Sequence, residues 1–202
     1  MDLTVDKADH ELILLSKNGN LDAFNTLVER YQVTVYNLCV RLLGNREAAE
    51  DATQETFLSA YRAIERFEGG NFRGWLLRIA ANQSKDELRR HKRKYRAGSL
   101  DEMFDTLGHS VEVSDPAEPP SRLAERAELA KTLQDALLQL PFDQRRAIVL
   151  VDVLGYHYDE VAEICETSTG TIKSRIHRGR DRLRSILRGN PELFGAHDRL
   201  ED

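Results

Sequence analysis

Apolar residues recur at spacings of three and four along almost the whole chain, and no long alternating stretch with turn signals suggests a sheet. Residues 11–43 predict two helical stretches, broken near Asn18-Gly19-Asn20. The second carries Phe24, Leu27, Val28, Tyr31, Val35, Leu38 and Leu42, an apolar stripe at 3.6 periodicity, and Gly44-Asn45 ends it. Residues 46–66 predict another helix, with Phe57, Tyr61 and Ile64 as its core face. Glu68-Gly69-Gly70-Asn71 breaks the pattern, and a basic helix follows from Phe72 to about Lys94 with Phe72, Leu76 and Ile79 inward.

The pattern then lapses. Residues 97–121 are acidic, weakly periodic and interrupted by Gly98, Gly108, Pro116, Pro119 and Pro120, which reads as a flexible linker. Periodicity resumes at Leu123, with Ala127, Ala130, Leu133, Leu137 and Leu140 on one stripe. Pro141 opens a further helix to about Leu154, a position proline tolerates. Two short helices, 158–166 and 169–188, precede a polar tail from about residue 190. The expected fold is all-α: two small helical domains, 8–96 and 122–189, joined by the 97–121 linker, with tail 190–202. No internal repeat is evident.

Charge changes this picture more than composition does. The chain has 202 residues, 41% hydrophobic and 31% charged, with a net charge of −5 that argues weakly against nucleic-acid binding. Its distribution argues the other way. Residues 72–96 hold nine Lys/Arg against two acids, and residues 171–188 hold seven against Asp181 alone. Residues 1–67 and 101–139 are net acidic. Two basic blocks on an acidic body suggest two phosphate-facing surfaces and a third surface of opposite sign. A merely solvated helix face is the competing reading for either block.

Other chemistry is sparse. Cys39 and Cys165 lie far apart in apolar helical patterns and read as core thiols. The six histidines have no partner at metal-ligand spacing, so neither metal nor cofactor is expected. No nucleophile–base pair, phosphate loop or carboxylate dyad points to an enzyme. Apolar runs fall far short of the ~20 residues a membrane helix needs, and the acidic N-terminus is unlike a signal peptide. A cytoplasmic protein is expected.

The best local motif spans Tyr158 to Arg178. Val161, Ala162 and Cys165 form the inner face of one short helix, Ser168 caps the next, and Ile172 and Ile176 turn inward. Ser168, Thr169, Thr171, Lys173, Ser174, Arg175, His177, Arg178 and Arg182 are then left to face or flank a DNA major groove. This is a helix-turn-helix, and it says DNA binding without saying which kind of regulator. Upstream, Trp75, Arg78, Asn82, Lys85 and Arg89 share one face of the 72–94 helix. An aromatic and an amide among cations suit unstacked bases, although Trp75 could equally be core. Arg90 and its basic neighbours suit phosphates.

Three segments in order resemble region two of the extracytoplasmic-function sigma factors: Ala23-Phe-Asn-Thr-Leu-Val-Glu-Arg-Tyr31, Ala49-Glu-Asp-Ala-Thr-Gln-Glu-Thr-Phe-Leu-Ser-Ala-Tyr61 and Phe72-Arg-Gly-Trp-Leu-Leu-Arg-Ile-Ala-Ala-Asn82. Leu140-Pro141, Gly170-Thr-Ile-Lys-Ser-Arg175 and the arginine-rich segment after it resemble region four. The resemblance implies a non-catalytic subunit that brings core RNA polymerase to promoters. It implies that Asp51, Gln54, Glu55 and Leu58 dock on the clamp helices of the polymerase's largest subunit, with the flap as a further contact. It implies that Phe67, Asn71 and Phe72, with the Trp75–Arg90 face, capture the −10 element, and that the Ser168–Arg182 set reads the −35 element. By analogy it adds stress-responsive control by an anti-sigma factor, and a monomer when free of partners. Two departures stand out: Glu166-Thr167 where glycine and an aliphatic residue are common, and His157 where a capping serine is usual. A stand-alone helix-turn-helix regulator is the alternative, and a decoy using these helices for protein contacts alone is another.

Overall fold

The computed structural model describes residues 3–96 and 120–189, and every regular element among them is helical. The first half comprises α1 (Leu3–Lys17), α2 (Leu21–Leu43), α3 (Arg46–Ala63) with a 3₁₀ turn at Ile64–Arg66, and α4 (Phe72–Arg96). The second comprises α5 (Pro120–Leu138), α6 (Phe142–Ile148) running into a π-helical segment at Val149–Val153, α7 (Tyr158–Ile164) and α8 (Thr169–Arg188). The expected linker lies outside the described residues up to 119, with 120–121 already helical, and so does the expected tail.

Local chemistry starts and stops these helices where the sequence suggests. Asn20 Oδ1 accepts the Ala23 N–H at 3.0 Å and Asn45 Oδ1 accepts the Ala48 N–H at 2.8 Å, each satisfying an amide that the first helical turn leaves unpaired. Between them Gly44 closes α2 in a left-handed conformation (φ 71°), its N–H donating to Val40 O at 2.8 Å.

The α2 stripe forms the centre of the first core: Leu27, Val35, Leu38 and Leu42 are fully buried, each contributing about 1.5–3 kcal/mol of apolar transfer. The expectation for 46–66 holds at Ile64, which is buried, and needs correction at Phe57 and Tyr61. The inner face of α3 is Ala49, Ala52, Thr56 and Ala60, while Phe57 is half-buried and Tyr61 lies at the surface with its ring edge on Phe24. Small residues face inward because α3 packs tightly between α2 and α4, whose own contribution includes Ala80 and Ala81. On α4, Phe72 and Leu76 are buried as expected, joined by Leu77, while Ile79 is only half-buried.

In the second half Ile148, Leu150, Val161, Ile164 and Ile172 form the core, and the stripe expected on α5 is shifted. Ala136, Leu137 and Leu140 are buried, but Leu133 is exposed along with Leu129. Gly179 lets α8 cross α6 closely: a Cβ there would sit 2.5 Å from Ile148 Cδ1.

The two halves also pack on one another. Buried residues of both belong to one continuous apolar cluster, with α2 against α5 and α6, and α4 against α7. Arg145, itself buried, donates to Leu138 O at 2.7 Å, to Leu140 O at 3.1 Å and across to Leu42 O at the end of α2. Burial pushes its guanidinium down to about 10, still charged at neutral pH. Gln134 bonds the adjacent end of α2 through Val40 O, Arg41 O and the Arg41 side chain.

Candidate nucleic-acid interface

The basic face of α4 grows from an aromatic knot. Phe67 and Phe72 meet edge to face at 5.5 Å between centroids, and Trp75 tilts against both at 5.1 and 5.5 Å. Phe67 and Phe72 are buried and hold Trp75, which is half-exposed. The loop that delivers Phe67 is pinned by Lys17 Nζ donating to its carbonyl. Asn71 is exposed, and its Oδ1 accepts the Gly74 N–H at 2.9 Å, so it caps α4. Of the residues named on this stretch, Phe67, Asn71, Trp75 and Arg78 line one cleft of about 300 Å³. Phe72 does not; it is core.

Further along α4, Asn82 is exposed, and Lys85 is half-buried with Nζ 5.8 Å from the centre of the Phe142 ring. Arg89 and Arg90 are exposed and pair with Asp86 at 3.1 Å and Glu87 at 2.5 Å on the same helix. The Arg89–Asp86 pair is exposed at both ends and contributes little, so it can give way to a phosphate, whereas Glu87 is largely buried.

On α8, Ser168 Oγ accepts the Thr171 N–H at 3.2 Å, as the motif predicts. Thr169 donates to Asp159 at 2.9 Å, fixing the first turn to α7. Lys173, Ser174, His177, Arg178 and Arg182 are exposed. His177 Nδ1 lies 2.9 Å from Asp181, and Arg178 bonds back to Ser174 O at 3.3 Å. Arg175 behaves differently. It is half-buried, 3.7 Å from Asp143, with Nη1 enclosed. The spacing contains the signal: Arg175 lies three residues after Ile172 and four before Gly179, on the inner stripe.

The turn before α8 also differs from a glycine-containing one. Glu166 adopts a left-handed backbone (φ 51°), unfavourable for a side chain with a Cβ. At the start of α7, Glu160 Oε2 accepts the His157 N–H at 2.9 Å, so the far end of the helix's first turn supplies a cap contact despite the missing serine.

The third face lies on α3. Asp51, Gln54 and Leu58 are exposed, and Glu55 is half-exposed, 3.5 Å from Arg62. They lie away from the Ala49–Ala60 inner stripe. Sequence reasoning did not anticipate three residues that join the halves: Arg73, whose guanidinium lies 4.8 Å over the Tyr156 ring, Tyr156 itself, and Glu166, 2.8 Å from Arg78. For Arg78 and Glu166 opposite charge was the available signal, and it is shared by many pairs.

Comparison with known proteins matches this geometry half by half. The family model for sigma-70 region 2 matches residues 27–94, and that for sigma-70 region 4 matches residues 130–183. The ECF RNA polymerase sigma factor SigW of Bacillus subtilis is 39% identical over 176 residues, covering 85% of this chain and 92% of SigW. SigE of Mycolicibacterium smegmatis is 39% identical over 167 residues, 83% of this chain but only 62% of SigE. Among solved structures, RpoE in complex with the anti-sigma factor NepR from Bartonella quintana has a TM-score of 0.65 at 26% identity, covering 83% of this chain and 98% of that one. CnrH in complex with the cytosolic domain of CnrY shares the fold, with a TM-score of 0.66 at 24% identity, covering 91% of this chain and 99% of that one.

Proposed function

Because this chain belongs to the sigma-70 family, as an extracytoplasmic-function RNA polymerase sigma factor, we propose that three of its faces divide the work of promoter recognition. The α3 face of Asp51, Gln54, Glu55 and Leu58 docks on the clamp helices of the largest polymerase subunit, where an acidic surface suits a basic partner. The α4 face captures the −10 element as a single strand. Trp75 supplies a stacking surface worth ~1–3 kcal/mol per base, which offsets the few kcal/mol of unstacking. Arg78, Lys85, Arg89 and Arg90 meet phosphates. The exposed side of α8, led by Lys173, Ser174, Arg178 and Arg182, reads the −35 element as duplex, and the second half contacts the flap. Arg175 positions that helix through Asp143 rather than reaching for a base. Residues 8–96 and 122–189 are the working units, and the matched segments fall inside them.

The observation that carries this reading is the placement of two cationic faces on separate helices, half-exposed to exposed on α4 and exposed on α8, with an exposed acidic face on a third, α3. Work in the cytoplasm fits the absence, among the described residues, of any helix long and apolar enough to cross a membrane. The likeness to RpoE solved with NepR supports control of this chain by an anti-sigma factor of its own, released under stress.

Run-off transcription with purified core polymerase tests the reading. The protein should convert core enzyme from non-specific to promoter-specific initiation. The double reversal D51K/E55K should weaken polymerase binding at least tenfold, because like charges set face to face cost several kcal/mol, while circular dichroism stays unchanged. Undiminished binding by the reversed protein would move the docking face elsewhere.

A further inference from the structure

Helix α1 precedes both matched segments, and none of the three faces proposed above lies on it. It nevertheless reaches the aromatic knot of Phe67, Phe72 and Trp75 at two points. In its first half Asp9, only 4% exposed, accepts from Arg30 Nη1 and from the Tyr31 hydroxyl on α2. Burial, with Asp9 beside it, pushes the Tyr31 hydroxyl well above its ordinary range, so the donor keeps its proton. The Tyr31 ring in turn packs on Phe72, 5.8 Å between centroids. At the other end of α1, Lys17 Nζ donates to Phe67 O, 50 positions away.

Holding α1 in place does not require either contact. Ile13 is buried and fixes the helix on α2. A lysine in the last turn of a helix gains from its own C-terminal carbonyls without leaving them. A buried carboxylate–guanidinium pair adds little stability over an apolar contact of the same volume. What the pair supplies here is direction, because Asp9 also aims the Tyr31 ring at the knot. Both contacts end on the surface that presents Trp75. Phe67, Glu68, Gly69 and Asn71 line the same cleft as Trp75, and Gly69 and Gly70 have open space around them. The Phe67 carbonyl is where α1 grips the loop before its glycines.

We propose that α1 is a two-point brace for the strand-reading face: Asp9, through Tyr31 and Phe72, and Lys17, through the Phe67 carbonyl, are positioning residues that fix where Trp75 and the Phe67–Asn71 loop meet an unpaired base. The brace rests on the assignment of α4 as the strand-binding face. A binding constellation works only when the residues behind it hold its members to within about 0.5 Å, and the two contacts do this from opposite ends of one helix.

The test uses the full chain. Trp75 is its single tryptophan, so the emission of the free protein reports the knot directly. K17M keeps the aliphatic stem and removes the donor; D9N removes the charge at the other anchor. Both should shift Trp75 emission to the red and raise its quenching by acrylamide. With core polymerase bound, the probe is a fork template made from a promoter that run-off transcription identifies, single-stranded over the −10 positions. K17M should lower heparin-resistant binding to this fork about two- to tenfold, the range of one lost hydrogen bond, and K17R should recover most of it. Polymerase affinity and thermal unfolding should change little. W75A should lower fork binding too, and K17M should cost little more in the W75A background, a coupling that a merely structural role would not produce. Should D9N fail to fold, K17M carries the test alone. If W75A weakens fork binding but K17M changes neither emission nor binding, the brace is refuted and the strand-binding face stands. If K17M lowers fork binding, polymerase affinity and thermal stability together and adds in full to W75A, Lys17 is merely structural and the brace is refuted as well. If W75A has no effect, the face itself is misassigned and the brace falls with it.

Discussion

Gly179 sits in the middle of α8, where helix propensity alone favours alanine by about 1 kcal/mol. Packing opposes that gain. An alanine Cβ would lie 2.5 Å from Ile148 Cδ1, 3.3 Å from Ile148 Cγ1 and 3.4 Å from Gln144 Cβ, and Ile148 is buried with little room to move. Overpacking of this kind costs about 1–3 kcal/mol, so G179A should be destabilising by about 0–2 kcal/mol in spite of its propensity. The cause can be isolated by I148V, which removes the Cδ1 methyl and by itself costs about 0.5–1.5 kcal/mol. In the I148V background the closest contact is gone, and G179A should become neutral or stabilising. A double-mutant cycle from urea unfolding should therefore show a favourable coupling of about 1–3 kcal/mol. Duplex −35 binding by the polymerase-bound protein should follow the same order, since the crossing of α6 and α8 orients the exposed cations. If G179A alone stabilises by a full 1 kcal/mol, or the cycle closes without coupling, the claim that glycine is present for close approach is wrong.

Three further perturbations probe other parts of the molecule. G44A places a Cβ both in a left-handed backbone, at a cost of about 1–2 kcal/mol, and into the Leu138 side chain at Cδ1; thermal unfolding should show that L138A relieves the second cost and not the first. R145M leaves Leu42, Leu138 and Leu140 carbonyls without the donor they share, and at about 1–3 kcal/mol for each group left unpaired it should destabilise by more than about 2 kcal/mol in denaturant titrations, with R145K only a partial rescue. Burial pushes the Tyr156 hydroxyl up to about 12 from an ordinary 10. A folded value above the unfolded one means stability that is complete below pH 10 and is lost as the pH climbs through 12; the Y156F protein should show a shallower fall in unfolding free energy across that window, and should lack one tyrosinate that titrates above the ordinary range.

Much of the candidate site was legible because it depends on neighbours a few residues apart. Ser168 capping Thr171 and the inward turn of Ile172 and Ile176 follow from helix geometry, and the structure has them as the spacing implies. Arg175 was also readable, since its spacing from Ile172 and Gly179 puts it inside; its charge drew attention away from its position. The inner face of α3 was misread for a different reason. Phe57 and Tyr61 are the more apolar residues, but the gap between α2 and α4 admits only Ala49, Ala52, Thr56 and Ala60. How wide that gap is depends on three helices at once.

By itself, then, the order of residues determined the helices, their caps, the α2 core stripe and the segregation of charge, all of which rest on interactions within a turn or two. Only the tertiary structure decided which face of α5 is covered, what Arg145 bonds, and that Arg78 meets Glu166 across 88 positions. Those contacts join segments whose local patterns are complete without each other. Many pairings of cation and carboxylate would satisfy the same charges, and the choice among them is made by how the two apolar cores close together.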